Sequence, residues 1–350
     1  MEAKDGKVAF DNYKSAHSYS TSHRIASERA VQEMTGVDVE YLSKPPAELT
    51  NFFFTLQSQI EGEGNMDYHK YASNMWAKFF GQPQDVADEE AFSYFENRMI
   101  ASLHSIDMKK LVYPHVTENL ESLIDIRGDQ VDEIVLWSTG DVAATGYQAG
   151  KIDRSGVIPN FLRALLRRGP EKARQRAEKT RYMVDDNKFE RLVEHVGEVK
   201  KTGEKMKVVI IEDSTKNFDI VKNELEKKYG KEAVEHEFEI NPIWAAYSRE
   251  GQNAQKKAEG SSEEWDAFMT KRRKLNAIDS FSELLDPRFN DMFEGAHVFC
   301  DFDGVIGDNI AMREEQAKVI FHALTEGGLK KGLSLSELDQ RITEALAPAA

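Results

Sequence analysis

VFCDFDGVIGDN, residues 298–309, drives an apolar run straight into two carboxylates, Asp301 and Asp303, and then a glycine. A run of that kind reads as the tip of a buried strand delivering acids to a site. Two residues apart at a strand end, the two aspartates start on the same side of the chain, and Gly304 lets the backbone turn with no Cβ in the way. What the stretch does depends on which other strand ends reach it.

Upstream, between Tyr113 and Leu285, apolar β-rich runs alternate with amphipathic helical stretches: ENLESLIDI before VDEIVLWS, KFERLVEHV before MKVVIIED, FDIVKNELEKKYG before HEFEINPIWAAY. That alternation predicts an α/β fold with a doubly wound, Rossmann-like parallel sheet. Functional groups in such sheets gather outside the carboxyl ends of the strands. IVLWS ends at Ser138 and Thr139, VVIIE at Glu212 and Asp213, FEINPIWAAY at Ser248 and Arg249, and HVFC at Asp301 and Asp303. From about Ser15 to Leu111 the chain reads instead as helices, with apolar residues three and four apart in SHRIASERAVQEM, DYHKYASNMWAKFF and EEAFSYFENRMIASLHSI. Residues 251–268 read as a polar loop that re-enters helix near Glu263.

Composition narrows the setting. A chain of 350 residues, 40% of them hydrophobic, can bury a sizeable core in one large or two ordinary domains. A net charge of −15 argues against non-specific attraction to nucleic acid or an anionic membrane and for a small, diffusing partner. The stretch 163–181 is locally basic, with eight basic residues against two acids, but it lacks interleaved aromatics and reads as a solvated helical face. MEAKDGKVAFDNYKSAH has no apolar signal region, and no run of eighteen apolar residues occurs, so neither export nor a membrane span is expected. A single cysteine, Cys300, precludes an intrachain disulfide or a thiolate-cluster metal site and fits a reducing cytosol. It ends an apolar run and reads as an inert buried thiol.

The acids carry the chemistry. Glu212 and Asp213 can converge on Asp301 and Asp303 if their strands are neighbours, and carboxylates brought together stay ionised only around a cation or a basic group. Oxygen-only ligands favour a hard ion, Mg²⁺ when phosphate shares its shell. One such acid can attack a phosphoryl group while its neighbour protonates the leaving alcohol and later activates water. Each piece alone has a plain structural explanation: DxDG in a turn, ED or Ser138-Thr139 as helix caps, Lys188 as a surface lysine. Their joint occurrence at strand ends and helix starts is what favours a site.

Together the pieces resemble the four signatures of the haloacid dehalogenase superfamily of phosphohydrolases. VFCDFDGVIGDN is similar to its DxD motif, IVLWSTGD to its hydroxyl-ended strand, DDNKFERLVEHVGEV to its lysine segment and VVIIEDSTKNFD to its acidic pair. YPHVTENLESL, residues 113–123, resembles the segment returning from the family's cap, and IDSFSELLD, residues 278–286, its usual ending. The order differs: the nucleophile strand comes after the family-like ending, which makes this a circular permutation. A site needs strand ends adjacent in space rather than in sequence. The resemblance implies a core over 113–309 and a helical cap from 1–112 with 310–350, closing over the site. Its aromatics, Phe52, Phe53, Phe54, Phe79 and Phe80 among them, read mainly as core.

By the same resemblance Asp301 is the nucleophile and a Mg²⁺ ligand. Asp303 is the general acid/base and offers its main-chain carbonyl to the metal. Ser138, or Thr139 one residue on, hydrogen-bonds the phosphoryl group, and Lys188 offsets negative charge. Glu212 and Asp213 hold Mg²⁺, with Asn217 a weaker candidate. An acid at Asp303 favours phosphate over carbon–halogen chemistry. The expectation is therefore a cytoplasmic, Mg²⁺-dependent phosphomonoesterase acting on a small phosphorylated metabolite. A phosphomutase or phosphotransferase and a non-catalytic binding protein are the alternatives.

Overall fold

The computed structural model describes residues 51–53, 55, 68–81, 88–139, 147–157, 171, 180–185, 187–201 and 203–346. The expected helix SHRIASERAVQEM, Phe54 and nearly all of the basic stretch lie outside them. The chain divides into two compact units, one of residues up to Ile106 with those from Arg313 onward, the other Asp107–Met312. Among the described residues no helix is long and apolar enough to cross a membrane.

The first unit is helical where described. Helices Tyr68–Phe80 and Glu89–Ser105 turn Tyr71, Met75, Trp76 and Phe79, and Phe92, Phe95, Met99 and Leu103, into its interior. That three-and-four spacing puts each set on one helix face. Phe53, Phe79 and Phe80 are buried among them. Trp76 packs at 5.6 Å from Phe95, ring to ring. In the helix Asn309–Lys331, a Cβ at Gly327 would come within 2.9 Å of Trp76 and 3.0 Å of Phe95, so glycine there lets the helix close on both rings. Tyr94 and Arg98 donate to the buried Glu326 carboxylate at 3.0 and 2.9 Å.

The second unit is α/β. Its strands are β1 (Glu133–Thr139), β2 (Thr180–Asp185), β3 (Met206–Glu212), β4 (Phe238–Trp244) and β5 (Ala296–Asp301), in one sheet ordered β2-β1-β5-β3-β4. Every pairing is parallel. The last strand in sequence is thus the middle strand of the sheet. Four strands match the apolar runs; β2, TRYMVD, was not expected. It is an edge strand, and edges tolerate the short, polar composition that hides such a segment. The other edge is β4, where Pro242 interrupts the run; a residue with no N–H is tolerated at an edge and not in a central strand.

The helices of this unit used below are α1 (Pro114–Arg127), α2 (Tyr147–Arg154), α3 (Lys188–Val199), α4 (Thr215–Tyr229), α5 (Arg249–Ala258) and α6 (Ser262–Lys274). Helix α5 takes the place of the loop expected at the start of the 251–268 stretch, and α6 is the helix expected to resume near Glu263. Ser248 caps the first, accepting from Gly251 N, and Ser261, which lies within that stretch, caps the second, accepting from Glu264 N.

Alternation along the strands sends residues to both sides of the sheet. Val135, Trp137, Val208, Ile210 and Phe299 pack with Leu192 and Val196 of α3 and Val221 and Leu225 of α4. Leu136, Ile211, Val298 and Cys300 line a small apolar cavity together with Leu123 and Arg127 of α1, Phe281 and Phe293. The buried Arg127 donates to Leu284 O at 2.8 Å and Asp286 O at 2.7 Å, pinning the IDSFSELLD segment to α1.

Candidate functional site

Three strands end together. Trp137 lies in register with Asp301 and Ile211 with Cys300, so Ser138 on β1, Asp301 on β5 and Glu212 on β3 emerge along one edge of the sheet. Phe302 N donates to Trp137 O at 3.0 Å and holds β1 to β5 one residue past the strand. The acidic pair is fixed through its backbone, with Ala245 N donating to Glu212 O and the Trp244 indole to Asp213 O, each at 2.8 Å.

Lys188 opens α3. Asn187 caps that helix through a hydrogen bond from Glu190 N, and the cap aims the lysine along the helix's first turn into the cluster. Its Nζ stands 2.6 Å from Glu212 Oε1 and 3.0 Å from Asp301 Oδ2, over the Trp137 ring at 4.6 Å. Burial alone would lower its pKa, yet the carboxylates of Asp301 and Glu212 together drive it above the usual lysine value.

Glu212, Asp213 and Asp301 are all buried, and each offers an oxygen within 4.8 Å of the others'. Desolvation, then the Glu212 charge, push Asp301 well above the usual carboxylate range, with Lys188 opposing. Desolvation and then Glu212 and Glu250 raise Asp213 to about 8. Glu212 Oε2 is buried with no hydrogen-bond partner. An orphaned carboxylate oxygen is costly, and three buried acids facing one ammonium leave excess negative charge. The donor set, hard oxygens closing on a common point, is the kind a divalent cation takes.

The two aspartates of the motif are held apart. Asp301 belongs to the acid cluster, whereas Asp303 turns to the buried Lys151 on α2, whose Nζ is 2.7 Å from each of its carboxylate oxygens. The alternation rule that starts them on one side holds only while the strand lasts, and β5 stops at Asp301. Ser138 is buried and its hydroxyl donates to Asp303 Oδ2 at 3.2 Å. Thr139, the last residue of β1, is exposed. Asn217 lies in the first turn of α4, its backbone N–H donating to Ser214 O at 3.1 Å, while Asn309 Nδ2 reaches Asp213 Oδ2 at 3.3 Å. Lys151 and Asn309 were not foreseen. YQAGKIDR carries no motif, and its only signal is a helix following the hydroxyl-ended strand; Asn309 closes VFCDFDGVIGDN and reads there as a helix start.

Compared with protein-family models, with curated proteins and with solved structures, the chain matches none.

Proposed function

We propose that the chain is a Mg²⁺-dependent phosphomonoesterase of the haloacid dehalogenase type, circularly permuted, which hydrolyses a small phosphorylated metabolite in two steps. The observation that carries this reading is the convergence of Asp301, Glu212 and Asp213 around the Lys188 ammonium at the carboxyl ends of β5 and β3. Counted from β5, the sheet order β2-β1-β5-β3-β4 becomes 3-2-1-4-5, the order of a doubly wound sheet, and β5 and β3 then flank its switch point. That supports both the doubly wound architecture and the permutation. The other unit is helical where described, which is the make-up of the cap the resemblance implies, and a single buried cysteine supports a reducing cytosolic setting.

Asp301, Glu212 and Asp213 would hold the ion, with the main-chain carbonyl of Asp303. Mg²⁺ bound there supplies charge neutralisation for the phosphoryl oxygens. An Asp301 oxygen forms a bond to phosphorus as the ester P–O bond breaks, and Asp303, which takes up a proton as the substrate binds, gives it to the departing alcohol. Water then attacks the aspartyl-phosphate, its proton passes to Asp303, and the Asp301 O–P bond breaks to release phosphate. Lys188 stays beside Asp301 and offsets the charge that develops in both steps. Ser138, buried at the end of β1, stands beside Asp303 and close to where a phosphoryl oxygen would lie.

The test is phosphate release from an aryl phosphate and from a panel of sugar and short-chain phosphates in Mg²⁺. The wild-type chain releases phosphate and Asp301→Asn does not while keeping its fold; equal turnover in that variant overturns the reading. Transfer to an added sugar acceptor in place of release would mark a mutase or transferase.

A further inference from the structure

Asp303 is grasped on both oxygens by a lysine that no motif points to. Lys151 lies on α2, is 5% exposed, and reaches Asp303 Oδ1 and Oδ2 at 2.7 Å each. Its ammonium lies 5.6 Å from the centroid of the fully buried Phe302 ring, between the two aspartates in sequence. A lysine so deeply buried is costly unless its charge meets a partner, and Asp303 is that partner. Ser138 adds a hydrogen bond to Oδ2 at 3.2 Å. Asp301, two residues away, has its Oδ1 accepting from Phe302 N at 3.0 Å and its Oδ2 beside Lys188.

We infer that Lys151 is a positioning residue: it holds the Asp303 carboxylate out of the Glu212–Asp213–Asp301 cluster and aims it at the leaving-group side of the site. Without it, Asp303 loses the ammonium that meets both its oxygens and can turn toward the neighbouring acids as a fourth member of their cluster. With it, the two carboxylates of one motif keep separate tasks, one for phosphorus and cation, the other for proton transfer. This inference rests on the phosphomonoesterase reading for its kinetic consequence, but the placement of Asp303 can be read without turnover.

Two measurements on the full chain test it. In the first, kcat and KM are compared for p-nitrophenyl phosphate, whose leaving group needs little protonation, and glycerol phosphate, whose alkoxide needs it. Lys151→Ala is expected to lower kcat on glycerol phosphate about a hundredfold and on p-nitrophenyl phosphate about tenfold or less, with KM within about twofold. Lys151→Arg recovers most of the loss, and in an Asp303→Asn background Lys151→Ala has no further effect. Equal losses on both esters, a change in KM alone, or additive losses in the double variant overturn the inference.

The second measurement is Mn²⁺ affinity in the absence of substrate, and it decides the matter even if the wild type hydrolyses no ester and the phosphomonoesterase reading itself fails. Lys151→Ala is expected to bind Mn²⁺ several-fold more tightly because Asp303 joins the cluster, and Lys151→Ala/Asp303→Asn loses that gain. A gain that persists in the double variant reports through-space charge only and overturns the inference, as does unchanged affinity in Lys151→Ala.

Discussion

Gly304 presses against Asp213: with φ at +80°, a Cβ built on it would overlap the Asp213 carboxylate. The glycine after the DxD motif is therefore required twice, by a backbone conformation that L-residues rarely adopt and by the acid from β3 that occupies the space.

Gly304→Ala should accordingly displace Asp213 and strain the turn by about 1–2 kcal/mol. Divalent-ion affinity by calorimetry should fall at least about tenfold, with a lower thermal midpoint. Wild-type affinity would mean that Asp213 does not share the cluster.

Lys188→Met leaves Asp301 and Glu212 buried without their ammonium. Breaking a buried pair costs about 3–5 kcal/mol. Asp301, already pushed well above the usual carboxylate range by burial and the Glu212 charge, escapes part of that cost by protonating, so the variant takes up more protons folded than unfolded and its stability falls as pH rises. Denaturant unfolding should show a smaller deficit at pH 5 than at pH 8, and kcat should drop about a hundredfold to a thousandfold. A pH-independent deficit would place the lysine outside the charge network.

Asp213, held near 8 by burial and then by Glu212 and Glu250, makes the metal-free protein sensitive to pH. The folded value lies above the unfolded one, so the contribution is fully present below the ordinary carboxylate pKa and is lost as pH rises through about 8. A cation bound beside Asp213 would take the proton's place. The rise in thermal midpoint on adding Mg²⁺ should therefore be larger at pH 8.5 than at pH 6; a larger rise at pH 6 would contradict the ion's place beside Asp213.

Much of this was legible in the chain. Runs such as VVIIE and HVFC are apolar because central parallel strands are buried on both faces, and the acids that follow them mark strand ends. The loop expected to open at residue 251 failed for a local reason, since Ser248 caps a helix with the kind of side chain that also serves turns, whereas α6 starts where a return to helix was expected, near Glu263. Strand β2 was obscured because its few apolar residues follow a basic stretch and an edge needs no more. Lys151 was invisible: its importance comes from the return of α2 to Asp303, a contact 152 residues apart in sequence. Asp301 and Asp303 looked equivalent by spacing and proved to face different ammonium groups, because the strand ends between them.

The proposed permutation can be reversed in the chain. A chain cut between Gly295 and Ala296, with residues 296–350 moved ahead of residue 1 through a flexible glycine/serine linker, keeps the same strand neighbours, since β5 lies between β1 and β3 whatever its place in sequence. Its kcat should match the original within about threefold. A soluble, folded but inactive rearranged chain would show that the present order matters to the site.

On the proposed reading Asp301 carries the phosphoryl group. Turnover of a phosphate monoester in Mg²⁺, quenched in acid and reduced with borohydride, converts an aspartyl-phosphate to homoserine, which peptide mass spectrometry locates. Homoserine is expected at position 301 and nowhere else; phosphate release with no reduced residue, or with the reduced residue elsewhere, would rule out Asp301 as the nucleophile.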